Sequence, residues 1–275
     1  MSKPSELKCF NLPWQDFPFA QGVRLRVCGE GKKVILIPGM EGSGESCADL
    51  AEWLVSESRK NGNPVQIVLV DYRSEREETL EHLTHAIAVA IESRAVGRAI
   101  LWSQSFGNVI ATKLLATGRI QVSKHLMFSP FASLPRWKQK SGEWILRWSP
   151  RVLYRWLSPL VSRLLFGPIP SPHPFLEVLA NEDPVHYAKR VGWLRDPSLK
   201  RLFSDISCSK AIWIGDRDRL IEPARQIQFY ENLKRSGSVQ LEVKVLPGIG
   251  HMLFPELLGP SSCTSLLEWI LYSAE

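Results

Sequence analysis

The chain has 275 residues and a formal net charge of +6, with 44% hydrophobic and 23% charged residues. This composition excludes the disordered and fibrous classes, and the length suits one large domain or a catalytic core with an insertion. The basic excess is mild and no nucleic-acid recognition motif accompanies it, so we expect no nucleic-acid partner.

The cysteines and the N-terminus indicate the compartment. The five cysteines are scattered and odd in number, and none has CxxC spacing, so we expect neither a zinc site nor a redox motif. Residues 1–19 lack the apolar segment of a signal peptide. No apolar run approaches the ~20 residues of a membrane-spanning helix. We therefore expect a cytoplasmic protein.

Strand patterns and helix patterns alternate along the chain, after an opening segment at 22–31 that is predicted to add one or two antiparallel edge strands. In chain order we predict a strand at 33–39, a helix at 46–60, a strand at 65–70, a helix at 79–91, a strand at 98–105, a helix to 115, strands at 125–129 and 210–216, a helix at 222–233, a strand at 239–248 and a helix at 262–272. This alternation predicts an α/β fold with a mostly parallel central sheet flanked by helices.

Residues 132–205 interrupt this alternation because they have no strand pattern. Prolines recur in the segment, and residues 144–166 predict two or three short helices interrupted at these prolines. We interpret 132–205 as a helical cap inserted into an α/β core made of residues 1–131 and 206–275. Its first part contains four of the ten tryptophans, Trp137, Trp144, Trp148 and Trp156.

The strongest catalytic signal is the sequence Ser103-Gln104-Ser105-Phe106-Gly107, where a buried strand leads directly into a helix. A serine on such a tight turn projects its hydroxyl out of the sheet, and the turn requires small residues two positions to either side. Here these positions hold Ser103, where glycine is usual, and Gly107. Ser105 is therefore the candidate nucleophile.

A serine nucleophile needs a base, and His251 is the best-placed histidine. It lies in the loop after the last predicted strand and follows Gly248 and Gly250, which let the loop fold back over the sheet. The orienting acid should follow the preceding strand, which offers Asp216 and Asp218. We favour Asp218, because it lies further beyond the strand end and Asp216 suits local capping of the tight turn.

The fourth element is the glycine-rich loop of residues 38–45, which follows the strand at 33–39 and precedes a helix. Such a loop can supply a backbone N–H to an oxyanion hole, or it can bind a phosphate group. The loop has neither a Gly-Lys-Ser/Thr ending nor a GxGxxG pattern, which argues against a nucleotide site.

The order of these four motifs resembles the α/β-hydrolase superfamily over residues 25–275. The resemblance implies Ser105 as nucleophile, Asp218 as acid and His251 as base, with the backbone N–H groups of Met40 and Phe106 as the oxyanion hole. One departure is Pro38, which stands with Gly39 where many members have His-Gly. It leaves the backbone donor in place but leaves open how the loop is held.

This set of residues predicts acyl transfer without a metal or an organic cofactor. We expect hydrolysis of carboxylic esters that carry an apolar acyl or alkyl group, because apolar side chains crowd 144–166. These side chains could equally pack the cap onto the core. Thioester hydrolysis is the alternative, because residues 42–54 resemble the equivalent region of carrier-protein thioesterases. Acyltransfer or perhydrolysis by the same triad, and a non-catalytic binding protein, also remain open.

The basic charge is concentrated in the cap. Residues 132–170 hold seven basic side chains against one acidic one, Glu143. Arg147, Arg151 and Arg155 follow one another at intervals of four, with tryptophans at similar spacing on an adjacent face. Such a surface could contact an anionic lipid surface or an acidic carrier protein, or it could be a solvated charged face above buried aromatics.

Overall fold

The computed structural model describes residues 12–18, 22–72, 79–94, 96–130, 136–171, 173–195, 208–235 and 241–272. Within them, one sheet contains eight strands in the order β1-β2-β4-β3-β5-β6-β7-β8. The strands are β1 (Gln15–Pro18), β2 (Arg24–Gly29), β3 (Lys32–Ile37), β4 (Val65–Asp71), β5 (Ala99–Gln104), β6 (Val122–Phe128), β7 (Ser209–Gly215) and β8 (Leu241–Leu246). β1 and β2 pair antiparallel, as does β2 with β4, and every other pairing is parallel.

Helices connect the parallel strands and cover both faces of the sheet. The α-helices of the described residues are α1 (Ala48–Lys60), α2 (Leu80–Ser93), α3 (Gly107–Ala116), α4 (Arg136–Trp148), α5 (Arg151–Phe166), α6 (Pro174–Asn181), α7 (Pro184–Trp193), α8 (Pro223–Arg235) and α9 (Pro260–Leu271). The predicted α/β fold with a mostly parallel sheet is confirmed. The N-terminal part adds two antiparallel strands, of which β1 forms the sheet edge and β2 lies between β1 and β4. The start of the last predicted strand, 239–240, lies outside the described residues.

The central strands β3 to β7 are apolar over most of both faces, and both of these faces are buried. Along β5, Ile100 and Trp102 join the cluster that packs under α1 and α9, whereas Ala99 and Leu101 join the cluster under α2 and α3. The alternation of side chains therefore divides β5 between two cores. This packing fixes the carboxyl ends of β3, β5, β7 and β8, from which the candidate catalytic loops extend.

The described part of 132–205 contains helices α4 to α7 and no strand, and it lies between β6 and β7 in the chain. As predicted, a helix ends before Pro150, which caps the start of α5. The prediction that helices break at prolines is wrong at Pro159, which lies inside α5. Pro159 lacks the N–H that would donate to the carbonyl of Arg155, so α5 continues through it with one hydrogen bond fewer.

No helix within the described ranges combines the length and the apolar character needed to cross a bilayer.

Candidate active site

Ser105 occupies the turn between β5 and α3 with a φ of 51°, a left-handed conformation that a non-glycine residue adopts only when its surroundings impose it. Gly107 begins α3 against the end of β3. A Cβ at Gly107 would overlap the carbonyl oxygen of Pro38 and lie 2.6 Å from that of Ile37. The small residue therefore lets the helix begin close enough to β3 to hold the sharp turn.

A buried polar network holds the turn from below. The Asn108 amide donates to the carbonyl oxygens of Ser105 at 2.8 Å and Phe128 at 2.9 Å. The Ser103 hydroxyl donates to Asn108 Oδ1 at 2.7 Å, so its oxygen accepts from His125 Nε2 at 2.8 Å. Ser103, which stands in the place of the usual glycine, is thus a member of the network that fixes the backbone of Ser105.

Three predicted site residues lie in hydrogen-bond contact. Ser105 Oγ is 2.7 Å from His251 Nε2, and His251 Nδ1 is 2.7 Å from Asp218 Oδ2. A carboxylate only accepts, so Nδ1 carries the proton and Nε2 accepts from the Ser105 hydroxyl. The side chains of His251 and Asp218 are buried. The arrangement can therefore take a proton from Ser105 and stabilise the resulting imidazolium.

The two aspartates after β7 differ in their contacts. Asp218 Oδ1 accepts from the N–H groups of Leu220 at 2.9 Å and Ile221 at 3.2 Å, which holds the carboxylate rigidly towards the histidine. Asp216 instead accepts from the Gly248 N–H at 2.7 Å and ties its loop to the loop that carries His251. Asp216 therefore caps a backbone N–H of the neighbouring loop, whereas the sequence predicted that it caps its own tight turn.

The predicted oxyanion donors lie on adjacent elements. Phe106 precedes α3, and Met40 follows β3, which pairs with β5. No hydrogen bond among the described residues uses the N–H of Met40 or of Phe106, so both donors are available. The N–H of Phe106 also lies at a helix N-terminus, where the partial positive charge favours an oxyanion.

Three side chains that sequence analysis missed hold the loop of Met40. Glu41 accepts from the Gly39 N–H at 3.1 Å and from the Ser46 hydroxyl at 2.5 Å, and burial raises the pKa of this carboxyl. The Tyr72 hydroxyl lies within hydrogen-bond distance of two carbonyl oxygens of this loop, those of Gly39 and, at 2.9 Å, Pro38. The Gly39 carbonyl shares a planar peptide with the Met40 N–H, so fixing the carbonyl orients the N–H.

The third side chain is Arg190, which comes from α7 and is buried. Its guanidinium donates to the carbonyl of Met40 and, at 3.1 Å, to that of Tyr72. The loop is therefore held without the histidine that Pro38 replaces. Tyr72 directly follows β4, which is a position that a search of strand ends could have found. Arg190 carries no such signal because only the packing of α7 brings it to the loop.

The end of α5 lies against the catalytic loops. The carbonyl of Phe166 accepts from the His251 N–H at 2.6 Å, and the rings of these two residues are 5.1 Å apart. The carbonyl of Leu165 accepts from the Arg219 N–H at 3.2 Å. Helix α5 and the loops of His251 and Asp218 therefore form one packed unit.

An apolar cluster surrounds the catalytic loops. Met252 and Phe254, directly after His251, pack with cap residues, and Met40 lies at the edge of the cluster. Its cap members include Leu146, Tyr154, Phe166, Phe175, Leu179 and Tyr187. An apolar group of a substrate would find its complementary surface here.

One group of metal-ligand types occurs in the described residues, with ligand atoms of Asp49, His173 and Glu256 within 4.8 Å of one another. His173 Nδ1 accepts from the Phe175 N–H at 3.1 Å, so the neutral ring carries its proton on Nε2, the atom that faces Asp49 at 3.5 Å. A protonated nitrogen offers no lone pair to a metal. The group therefore places a protonated Nε2 facing a carboxylate, without a hydrogen bond between them, and this arrangement does not suit a metal ion.

The comparisons with known proteins agree with this fold. A model of the serine aminopeptidase S33 family matches residues 74–257. The chain belongs to this family. Its members are α/β-hydrolases, so the family membership predicted from the motifs is confirmed. No curated protein matches the sequence.

Solved structures of α/β-hydrolases superpose over nearly the whole chain. An esterase from Exiguobacterium antarcticum has a TM-score of 0.70 at 16% identity and covers 91% of this chain and 95% of its own. A carboxylesterase from Nitrososphaera gargenis has a TM-score of 0.67 at 13% identity, and the match covers 94% of this chain and 97% of the carboxylesterase. An α/β-hydrolase fold protein from Burkholderia ambifaria has a TM-score of 0.67 at 14% identity, with 94% and 97% covered. At these identities the likeness establishes the shared fold.

Proposed function

We propose that this S33-family chain is a serine hydrolase that cleaves carboxylic esters with an apolar acyl or alkyl group. The observation that carries the proposal is the pair of 2.7 Å contacts that joins Ser105 to His251 and His251 to Asp218. The left-handed turn at Ser105 and the two available N–H groups nearby support it. The esterase and the carboxylesterase among the solved structures favour the same class of reaction.

The reaction follows from the contacts. Ser105 Oγ forms a bond to the ester carbonyl carbon while His251 Nε2 takes the hydroxyl proton, and the N–H groups of Met40 and Phe106 stabilise the oxyanion. The tetrahedral intermediate collapses, the bond to the alcohol oxygen breaks, and His251 gives this oxygen the proton. Water then attacks the acyl-enzyme with His251 as base, which releases the acid and restores Ser105.

The substrate class is argued from the apolar cluster beside His251 and Met40. It offers contacts to hydrocarbon rather than to charge, which favours esters of apolar acids or alcohols. Acyl thioesters are the second candidate, because residues 42–54 resemble carrier-protein thioesterases. Acyltransfer and perhydrolysis would use the same acyl-enzyme with another acceptor. The four cysteines in the described ranges are free thiols, which supports a reducing, cytoplasmic location.

The test is turnover of p-nitrophenyl esters of graded chain length beside acyl thioesters and aminoacyl p-nitroanilides. We expect kcat/KM to rise with ester chain length, and Ser105→Ala to lower kcat by a factor on the order of 10⁴ or more. Ser105→Ala should keep the melting temperature, since the turn requires only a small residue there. A preference for the thioesters or for the anilides would assign the enzyme to that substrate class in place of esters. If Ser105→Ala kept more than a few per cent of the activity, Ser105 would not be the nucleophile.

A further inference from the structure

Helix α5 has its polar side chains inward and its apolar side chains outward. Ser158 and Ser162 are buried, one and two turns after the half-buried Tyr154. On the opposite side Trp156 is 80% exposed, and its exposed apolar neighbours on this face include Val152, Leu153, Leu157, Leu160 and Leu164. A helix at a water-facing surface has the reverse arrangement.

Helix α4 has the same inversion. Trp137, Trp144 and Trp148 are between 65 and 69% exposed and recur at spacings of seven and four, which places them on one stripe of the helix. The opposite side packs against α7 with Gln139 buried and Glu143 half-buried. Glu143 is tied there by Arg195 at 2.7 Å. These three tryptophans and Trp156 are therefore exposed, and the alternative of a buried aromatic stripe under a charged face is wrong.

Basic side chains border these apolar stripes. Lys140 and Arg147 are exposed on one side of the α4 stripe, where Arg147 also contacts Glu143 at 3.1 Å, and Arg163 is exposed next to Trp156 in the helical phase of α5. We call the exposed apolar residues of α4 and α5, together with these three cations, the docking face. Exposed apolar side chains in this number on two consecutive helices mark an interaction site.

We propose that the docking face binds the surface of an anionic lipid bilayer. Tryptophan favours the boundary between acyl chains and headgroups, and aliphatic side chains enter the acyl region. The bordering arginines and lysine can reach lipid phosphates while their stems stay on apolar surface. Together these features match a helix pair that lies in the plane of the interface.

Two other occupants fit the surface less well. An acidic carrier protein would pair with a surface dominated by charge, whereas the centre of the docking face is tryptophan and branched aliphatic side chains. A second copy of the chain would bring the basic borders of two docking faces together, and their like charges would repel. An anionic bilayer satisfies the apolar centre and the basic border together.

The location of the docking face links binding to the candidate active site. Helix α5 ends at Phe166, whose carbonyl accepts from the His251 N–H at 2.6 Å. A bilayer held on α5 would therefore lie next to the loops of the active site, where apolar esters dissolved in the membrane are available. This consequence rests on the proposed function, whereas the binding itself does not.

The experiment measures partition of the full chain onto vesicles of phosphatidylcholine with and without phosphatidylglycerol, by co-sedimentation and tryptophan emission. We expect binding to the anionic vesicles with a blue-shifted emission, and weaker binding at ~0.15 M salt than at low salt. Lys140→Glu with Arg163→Glu should weaken partition by about tenfold or more. Trp148→Ser with Trp156→Ser should weaken it comparably and reduce the blue shift.

Matched controls separate the contribution of the docking face from general effects of net charge and of aromatic content. Arg225→Glu with Lys234→Glu changes the net charge equally on the exposed part of α8 and should leave partition unchanged. Tyr272→Ser removes an exposed aromatic residue at the end of α9 and should also leave it unchanged. Ser105→Ala should bind vesicles like the unaltered chain, so loss of hydrolysis and loss of binding are distinguishable.

The proposal would be overturned if the chain did not bind anionic vesicles at low salt, or if neither pair of substitutions changed its binding. It would also be overturned if the chain bound purified acyl carrier protein but not vesicles, or if it self-associated through the tryptophans and did not bind vesicles.

Discussion

At the scale of single residues, the acid of the candidate triad is distinguished by its surroundings. Both oxygens of Asp218 are used, one by His251 and the other by two backbone N–H groups, and the side chain is buried. The side chain of Asp216 is 40% exposed and caps a neighbouring loop. Only Asp218 can therefore fix the tautomer of His251.

This difference predicts the ranking of two substitutions. Asp218→Asn should lower kcat by a factor on the order of 10⁴, because an amide can donate to Nδ1 and place the histidine proton on Nε2. Asp216→Asn should leave kcat within a few-fold of the unaltered chain. The two kcat values are compared by steady-state kinetics on one ester substrate, and melting curves check that both variants are folded. The opposite ranking would assign the acid to Asp216.

Tyr72 is predicted to act as a positioning residue for the oxyanion hole. Tyr72→Phe removes the hydroxyl that contacts the Gly39 carbonyl and should lower kcat by roughly tenfold to a hundredfold with little change in KM. Tyr230→Phe removes the same atom from a buried tyrosine of α8 and should leave both constants unchanged. A rise in KM at constant kcat would instead assign Tyr72 to substrate binding.

The sequence placed Ser105, His251 and Asp218 because each follows a strand whose pattern is readable and whose carboxyl end lies at one edge of the sheet. Met40 and Phe106 follow from the same rule. The sequence did not predict the roles of Glu41, Tyr72 and Arg190, because these roles depend on hydrogen bonds to backbone carbonyls and N–H groups across the fold. No residue type or spacing marks such contacts in advance.

At the scale of elements, the approach of α3 to β3 decides the geometry of the turn at Ser105. Gly107→Ala should lower the free energy of unfolding by about 2 kcal/mol or more, because its Cβ would lie 2.6 Å from the carbonyl of Ile37. In the control Gly142→Ala, in α4, the new Cβ would have no atom within 4 Å, so the free energy of unfolding should rise by about 1 kcal/mol or less. Urea unfolding of both variants tests this, and equal effects would contradict the close approach.

The elements of the core were predictable because strands buried on both faces and helices with one apolar side leave clear patterns. The cap was harder. An amphipathic pattern establishes that a helix has two faces but does not say which face is inside, and in α4 and α5 the serines, Gln139 and Glu143 face inward. Pro159 shows a related limit, because α5 continues through it and a proline in a helical pattern therefore need not end the helix.

At the scale of the whole molecule, a titratable group buried under the site links stability to pH. Burial, with Lys210 nearby, lowers the pKa of His125 from 6.5 to about 3. Between these values the unfolded chain binds a proton that the folded chain does not, so stability falls as the pH falls from 6.5. The loss from this group is about 1.4 kcal/mol for each pH unit.

The substitution His125→Gln tests this contribution. Its amide can still donate to Ser103 but does not titrate, so the free energy of unfolding should fall less steeply between pH 6.5 and 4 than in the unaltered chain. The carboxyl groups titrate in both proteins and cancel in the difference. Denaturant unfolding across this range makes the measurement, and identical slopes would show that His125 is not held neutral.

The central claim, an activated serine at position 105, is tested most directly by a fluorophosphonate probe followed by intact-mass analysis and peptide mapping. The chain offers its own internal comparison, because Ser103 also contacts a histidine, at 2.8 Å, but is fully buried. We expect a single adduct on Ser105, with labelling lost in Ser105→Ala and strongly slowed in His251→Ala. An unlabelled protein, or an adduct on Ser103 or any other residue, would contradict the claim.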